Sequence, residues 1–320
     1  MDELRYRGAE RALWRSVGLE PAERRVRLAG TKTEIRVQEV GSGDPVLFIH
    51  GGPNSGSTWV PMLEHVHGYR CLIVDRPGTG LSDPYTVTAR DLPRFGARFV
   101  PDVLDGLGHE RAHVVASSFG GHLALRSAAA HPERFGRMVQ MAAPAAVPGQ
   151  TFPPFMRLMR SRVIRSILNV LPPSARANRS IFRQIGHGAS LDVGRIPEVV
   201  FEWYLALGRY TDTMRNDGQM IGAELMPHLD EVTLTDELLS SVTTPTLFLW
   251  GADDGFGGPA NAQRTSALLP DAELVVMPEA GHLPWLDDPA FTAQRTTAFL
   301  GSIPGAAAAT SSETRLERVA

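Results

Sequence analysis

The sequence predicts an α/β fold in which helices flank a mostly parallel sheet of eight strands and a helical segment is inserted between two of them. Residues 24–28 and 34–40 alternate apolar and polar side chains, which predicts an antiparallel hairpin at the sheet edge with its turn at Gly30 and Thr31. Residues 143–241 contain no strong strand run and are too many for a plain loop. Six short apolar runs predict strands buried on both faces, as a parallel sheet requires: residues 46–49, 71–74, 113–116, 137–142, 246–250 and 273–277.

Helices are predicted between these strands and at both ends of the chain. Residues 1–22 form a polar, Arg-rich segment whose Ala12, Leu13 and Trp14 suit a short amphipathic helix of unknown role. Residues after 303 have the composition of a flexible tail. The remaining predicted helices cover residues 58–67, 91–107, 122–130, 259–269 and 289–300.

The turn around Ser118 is the first candidate for chemistry. A strand ends at Ser117 and Ser118, and a helix-forming segment follows Gly120. A serine at a sharp strand-to-helix turn has an exposed hydroxyl, provided that small residues lie two places before and after it. Ala116 and Gly120 meet this condition for Ser118, whereas Ser117 would have the bulky Phe119 at the second place. Ser118 is therefore the predicted nucleophile, although a capped small-residue turn would look similar.

A serine hydroxyl needs a neighbouring base, and His282 is the predicted one. It follows Gly281 in a loop after the last strand, from which it can approach the serine. Asp253 and Asp254 follow the preceding strand, and either can be the acid that orients the imidazole. The chain order Ser, Asp, His is that of α/β hydrolases and differs from the orders in chymotrypsin and subtilisin.

With these motifs the chain resembles the α/β-hydrolase superfamily from about residue 24 to about residue 303. The turn 75-DRPGTGLSD-83 resembles a turn common in that superfamily, and we interpret it as structural. The family pattern has a glycine three places before the acid, so Gly251 selects Asp254. The resemblance implies a core of residues 23–145 and 242–303, a helical cap at 146–241, an N-terminal polar segment at 1–22 and a tail at 304–320.

The predicted oxyanion hole uses two backbone N–H groups. Phe119 follows the nucleophile at the positive end of a helix, so its N–H is the first. The second comes from the loop after the strand at 46–49, where Pro53 has no N–H and Gly52 is therefore favoured. His50 and His122 lie in elements around the site, and we interpret both as structural.

Composition narrows the function class. The chain has 320 residues and a formal net charge of −3, which gives no general attraction to nucleic acid. Cys71, the one cysteine, lies in an apolar run and is expected to be a buried thiol. The charged N-terminus lacks a signal region, and no apolar run reaches membrane-spanning length, so we expect a cytoplasmic protein with no membrane partner. No metal or cofactor is predicted, and the oligomeric state stays open.

These residues predict a serine hydrolase that cleaves an ester, lactone or related bond beside a carbonyl group through an acyl-enzyme. Three alternatives stay open: a proline-iminopeptidase-like aminopeptidase, a cofactor-free lyase or oxygenase, and a small-molecule receptor on the same fold. Aromatic and Met side chains of the cap are expected to give an apolar substrate wall, shared with packing onto the core. They are Phe152, Phe155, Met156, Leu158, Met159, Phe201, Trp203, Tyr204, Met214 and Met220.

The cap also contains a run of arginines without acids. We interpret it as a solvated helix face. The less favoured alternative is that one of these arginines binds a substrate carboxylate. These arginines are Arg157, Arg160, Arg162, Arg165, Arg176, Arg179 and Arg183.

Overall fold

A computed structural model describes residues 1–158, 161, 163 and 174–301 of the chain. Eight strands in this described part form one sheet in the order β1-β2-β4-β3-β5-β6-β7-β8. The β1–β2 and β2–β4 pairs are antiparallel, and the other pairs are parallel. The predicted mostly parallel, eight-stranded sheet and its edge hairpin are therefore confirmed. The strands are β1 (Ala22–Arg27), β2 (Glu34–Gly41), β3 (Asp44–Ile49), β4 (Tyr69–Val74), β5 (Ala112–Ser117), β6 (Phe135–Met141), β7 (Thr246–Gly251) and β8 (Ala272–Met277).

Strands such as β5 and β7 are buried along their whole length, because helices cover both faces of the sheet. The α-helices of the described residues are α1 (Glu3–Ser16), α2 (Val60–Leu63), α3 (Leu92–Leu107), α4 (Ser118–Ala130), α5 (Pro154–Leu158), α6 (Ala175–Gln184), α7 (Gly188–Asp192), α8 (Glu198–Tyr210), α9 (Thr213–Gln219), α10 (Leu229–Val232), α11 (Asp236–Ser240), α12 (Pro259–Ala267), α13 (Pro284–Asp287) and α14 (Pro289–Leu300). Short 3₁₀ segments lie at Gly56–Trp59, Pro132–Arg134 and Met226–His228, and a π-helical segment lies at Met220–Leu225.

Two predicted helices differ from the structure at their ends. The helix expected over 58–67 is shorter: a 3₁₀ turn leads into α2, which ends at Leu63 because the chain must turn back into β4. The helix expected from 122 begins instead at Ser118, directly after β5. The candidate nucleophile is therefore the first residue of α4.

Between β6 and β7 the described residues form helices and irregular segments, without a strand. Helix α1 packs against α8 of this insertion and buries Tyr6, Leu13 and Trp14. The N-terminal segment thus forms part of the packed structure. The predicted tail lies outside the described residues, and within them no helix has the length and apolarity to span a membrane.

Candidate active site

The turn from β5 into α4 determines where Ser118 points. Its φ of 52° is in the left-handed region, and its side chain lines a cavity. The turn is tight, since a Cβ added to Gly120 would lie 2.3 Å from the carbonyl oxygen of Ile49. Ser117 is fully buried, and its Oγ has no hydrogen-bond partner. Of the two serines, the structure places Ser118 in the cavity.

The predicted histidine is in contact with Asp254, the acid that the family pattern selected. Nδ1 of His282 lies 2.9 Å from both carboxylate oxygens of Asp254. The same carboxylate accepts backbone hydrogen bonds from Ala143 (3.0 Å) and Phe256 (2.8 Å), and it is buried. The neighbouring Asp253 is exposed. The turn after β7 therefore brings Asp254, and not Asp253, to the imidazole.

Phe256 has a contact with His282 and also lines the cavity that Ser118 lines. The centroid of its ring is 4.3 Å from that of the imidazole. No hydrogen bond joins Ser118 to His282, two residues within the described part of the chain. Catalytic hydrogen bonds of unliganded sites are often long and shorten when substrate binds.

The cavity beside Ser118 is small and mostly apolar. Its volume is about 60 Å³. Of the predicted apolar cap residues, Phe152 and Met156 line it, whereas Phe201, Trp203 and Tyr204 pack in a core cluster that includes Tyr6. Leu158 is described only for its backbone, and Met159 lies outside the described residues. Among the described residues, the lining comprises Gly52, Leu92, Ser118, Phe119, His122, Ala145, Ala146, Gln150, Phe152, Met156, Ile221, Leu225, Met226, Leu229, Val232 and Phe256.

Comparison with known families decides the class of protein. The family model described as the alpha/beta hydrolase fold matches residues 44–289, which is most of the chain. The chain belongs to the α/β-hydrolase family.

Curated relatives of this α/β hydrolase are themselves named as hydrolases. It is 29% identical over 262 residues to a 2-hydroxy-6-oxononadienedioate/2-hydroxy-6-oxononatrienedioate hydrolase of a Pseudomonas species, covering 78% of this chain and 85% of the relative. It is 27% identical over 255 residues to a 2-hydroxy-6-oxo-6-phenylhexa-2,4-dienoate hydrolase of Burkholderia cepacia, covering 78% and 84%. A Bacillus subtilis carboxylesterase structure has the same fold, with a TM-score of 0.74, 23% identity and 93% and 98% coverage.

Two further histidines near the site of this α/β hydrolase are held in the neutral form. Nδ1 of His122 lies 2.9 Å from the carbonyl oxygen of Ala145, and its Nε2 accepts from Nε of Arg126 at 2.8 Å. Burial, and secondarily the charge of Arg126, lowers the pKa of His122 to about 3. Burial, with a contribution from Arg76, likewise lowers the pKa of His50 well below its ordinary value. In both histidines, each ring nitrogen has a hydrogen-bond partner within the protein.

The arginines of α6 lie away from the cavity. Arg179 and Arg183 form ion pairs with Glu198 and Asp192, and Arg176 is exposed. These three fit the solvated helix face that the sequence predicted. The side chain of Arg157 is not described, and Arg160, Arg162 and Arg165 lie outside the described residues. In the described part of the chain, no three His, Cys, Asp or Glu side chains come together as a possible metal site.

Sequence reasoning missed a charged pair beside the predicted oxyanion loop. Arg76 of the turn after β4 forms a buried ion pair with Asp217 of α9, with 2.7 Å between Nη2 and Oδ2. The pair is 141 positions apart in sequence, so no local pattern indicated it. The turn that contains Arg76 resembles a family motif, but the sequence alone led us to interpret it only as a structural turn.

Proposed function

We propose that the protein is a serine hydrolase of small, mostly apolar esters, lactones or related carbonyl compounds. In this proposal Ser118 is the nucleophile, His282 the general base and Asp254 the group that orients the base. The observation that carries the proposal is the buried Asp254–His282 hydrogen bond beside a cavity that Ser118 enters from a left-handed turn. A carboxylate on Nδ1 keeps the imidazole proton on that nitrogen, which leaves Nε2 free to accept one.

The reaction follows from these positions in two half-reactions. Oγ of Ser118 attacks the carbonyl carbon while Nε2 of His282 takes the hydroxyl proton, and a tetrahedral oxyanion forms. The carbonyl re-forms, the bond to the leaving group breaks, and His282 returns the proton to that group. Water then attacks the acyl-enzyme in the same way, with His282 taking one proton and returning it to Ser118 as the acid leaves.

The backbone N–H groups of Gly52 and Phe119 are the proposed oxyanion donors. Both residues line the cavity with Ser118, and Phe119 lies in the first turn of α4, where the helix dipole favours negative charge. Donors already directed at the developing charge lower the barrier, because they need no reorganisation during the reaction.

The lining favours neutral, apolar acyl groups of modest size. Apart from Ser118, only His122 and Gln150 contribute polar side chains to the described lining, and both nitrogens of His122 are occupied. Met156 and Met226 have flexible side chains in this lining, which can adapt to acyl groups of different length.

A second candidate reaction is hydrolysis of a carbon–carbon bond beside a ketone. The curated relatives are named as hydrolases of 2-hydroxy-6-oxo dienoates, which contain no ester or amide, so their hydrolysis breaks a carbon–carbon bond. Those substrates carry carboxylates, whereas the described lining contains no Lys or Arg. The apolar described lining favours neutral esters and the names of the curated relatives favour 6-oxo dienoates, so the substrate panel includes both.

A probe and a substrate panel test the proposal. We expect a fluorophosphonate to label the protein, p-nitrophenyl butyrate to be hydrolysed, and Ser118→Ala to abolish both. Ser117→Ala is the matched control, because it removes a buried hydroxyl without a partner and should retain both signals. Full labelling of Ser118→Ala would refute the nucleophile. Labelling without turnover of any ester, combined with turnover of a 6-oxo dienoate, would favour the second candidate.

A further inference from the structure

The peptide group between Gly51 and Gly52, beside the cavity, has two hydrogen-bond partners on its carbonyl oxygen. The carbonyl oxygen of Gly51 lies 2.6 Å from Nδ1 of His50 and accepts a hydrogen bond of 2.9 Å from Nη2 of Arg76. The peptide between Gly51 and Gly52 is trans, so its C=O and N–H point in opposite directions. Whatever holds the Gly51 carbonyl therefore also directs the N–H of Gly52.

The hydrogen bonds of His50 identify its tautomer. Its Nε2 accepts from the backbone N–H of Arg76 at 3.1 Å, so the ring proton lies on Nδ1 and is donated to the Gly51 carbonyl. Nε of Arg76 donates to the carbonyl oxygen of His50 at 3.0 Å. Arg76 thus holds the loop from its backbone and from two guanidinium nitrogens.

Asp217 brings a second charge to the same loop. Its carboxylate is buried against Arg76, and a Cβ added to Gly52 would lie 2.7 Å from its Oδ2. Burial raises the pKa of Asp217, and the charge of Arg76 opposes that rise. A carboxylate this close to Gly52 would repel an oxyanion bound there, unless a cation neutralises it.

We propose that Arg76 is a positioning residue of the oxyanion hole and that Asp217 connects the inserted helical segment to it. Arg76 holds and polarises the Gly51–Gly52 peptide, because a carbonyl that accepts a charged hydrogen bond makes its N–H a stronger donor. It also neutralises Asp217 beside that peptide. This inference rests on the proposed function, because the oxyanion hole that Arg76 would position belongs to the proposed hydrolase reaction.

Three variants separate this role from that of a merely structural ion pair. Arg76→Met loses the donor and leaves Asp217 unpaired, and we expect kcat to fall on the order of 100-fold or more with KM within about threefold. The double variant Arg76→Met/Asp217→Leu removes both charges, and we expect a loss of about 10- to 100-fold. Asp217→Asn keeps the Arg76 donor, so its loss should be under about tenfold. Inhibition by a trifluoromethyl ketone, which forms an oxyanion on Ser118, should weaken in proportion to kcat/KM.

The matched control is Asp102→Asn. Asp102 is a buried carboxylate that accepts from Arg98 and from the N–H of Gly30, and it is absent from the cavity lining. It should lose stability and keep kcat. If the ion pair served only packing, two apolar side chains could replace it with little loss. A double variant with kcat within threefold of the parent would therefore overturn the proposal.

A crystal structure of the double variant tests positioning without any assay. We expect the Gly51 carbonyl to be rotated or to occupy two orientations, and a single unchanged orientation would overturn the positioning role. If the parent protein hydrolyses no ester, the proposed function fails, while the structural test still shows whether Arg76 holds the Gly51–Gly52 peptide. If Arg76→Met does not fold, the double variant supplies both measurements.

Discussion

Asp254→Asn is the sharpest test of the proposed catalytic residues. The carboxylate accepts from His282 and from two backbone N–H groups, those of Ala143 and Phe256. An amide nitrogen in place of either oxygen can donate to Nδ1, which moves the imidazole proton to Nε2 and removes the base. Even in the other orientation, the imidazolium loses its compensating charge. We expect turnover to fall on the order of 10⁴-fold, as in serine-protease triads.

The same substitution also has a cost in stability. Each carboxylate oxygen faces a backbone N–H, so the amide nitrogen meets a donor whichever way it turns. One buried N–H then lacks an acceptor, which costs about 1–3 kcal/mol of unfolding free energy. Urea unfolding should show this loss with an unchanged m-value.

The assay compares kcat/KM for p-nitrophenyl butyrate in Asp254→Asn and Asp253→Asn. Asp253 is the adjacent residue and is exposed, so its variant should stay within about threefold of the parent because surface changes have small effects. Retention of a tenth or more of the activity by Asp254→Asn would refute the assignment. A larger loss in Asp253→Asn than in Asp254→Asn would transfer the role to Asp253.

Further predictions concern packing, pH and size. Gly51→Ala places a Cβ 2.6 Å from that of Ser118 and should lower kcat by about 100-fold or more. Gly8→Ala meets nothing within 4 Å in a helix and should add about 0.5–1 kcal/mol in thermal or urea unfolding. His122 has a folded pKa of about 3 against about 6.5 unfolded, so protonation favours unfolding. The free energy of unfolding should therefore fall as the pH is lowered from about 6.5 towards 3, and it should fall less steeply in His122→Gln. Met226→Ala should raise the octanoyl-to-butyryl ratio of kcat/KM, and an unchanged ratio would remove it from the acyl pocket.

The sequence by itself determined the order of the strands along the chain, the helices between the core strands, the edge hairpin and the family. These features depend on neighbouring residues: apolar runs indicate buried strands, and alternation indicates half-buried ones. The turn at Ser118 could also be predicted, because small residues at Ala116 and Gly120 are a local requirement of a tight strand-to-helix connection. The site roles of Ser118, Asp254, His282, Gly52 and Phe119 stay predictions until the variants are measured.

The tertiary structure alone decided which charged groups meet. Spacing within the chain left both Asp253 and Asp254 possible, and the family pattern selected Asp254; the turn after β7 places that carboxylate against His282. Arg76 and Asp217 come from the core and the insertion, and their contact depends on how α9 packs over the loop after β3. The small cavity follows from the same packing. Contacts between residues far apart in sequence arise from the folded arrangement of whole elements, which no local pattern of apolar and polar residues encodes.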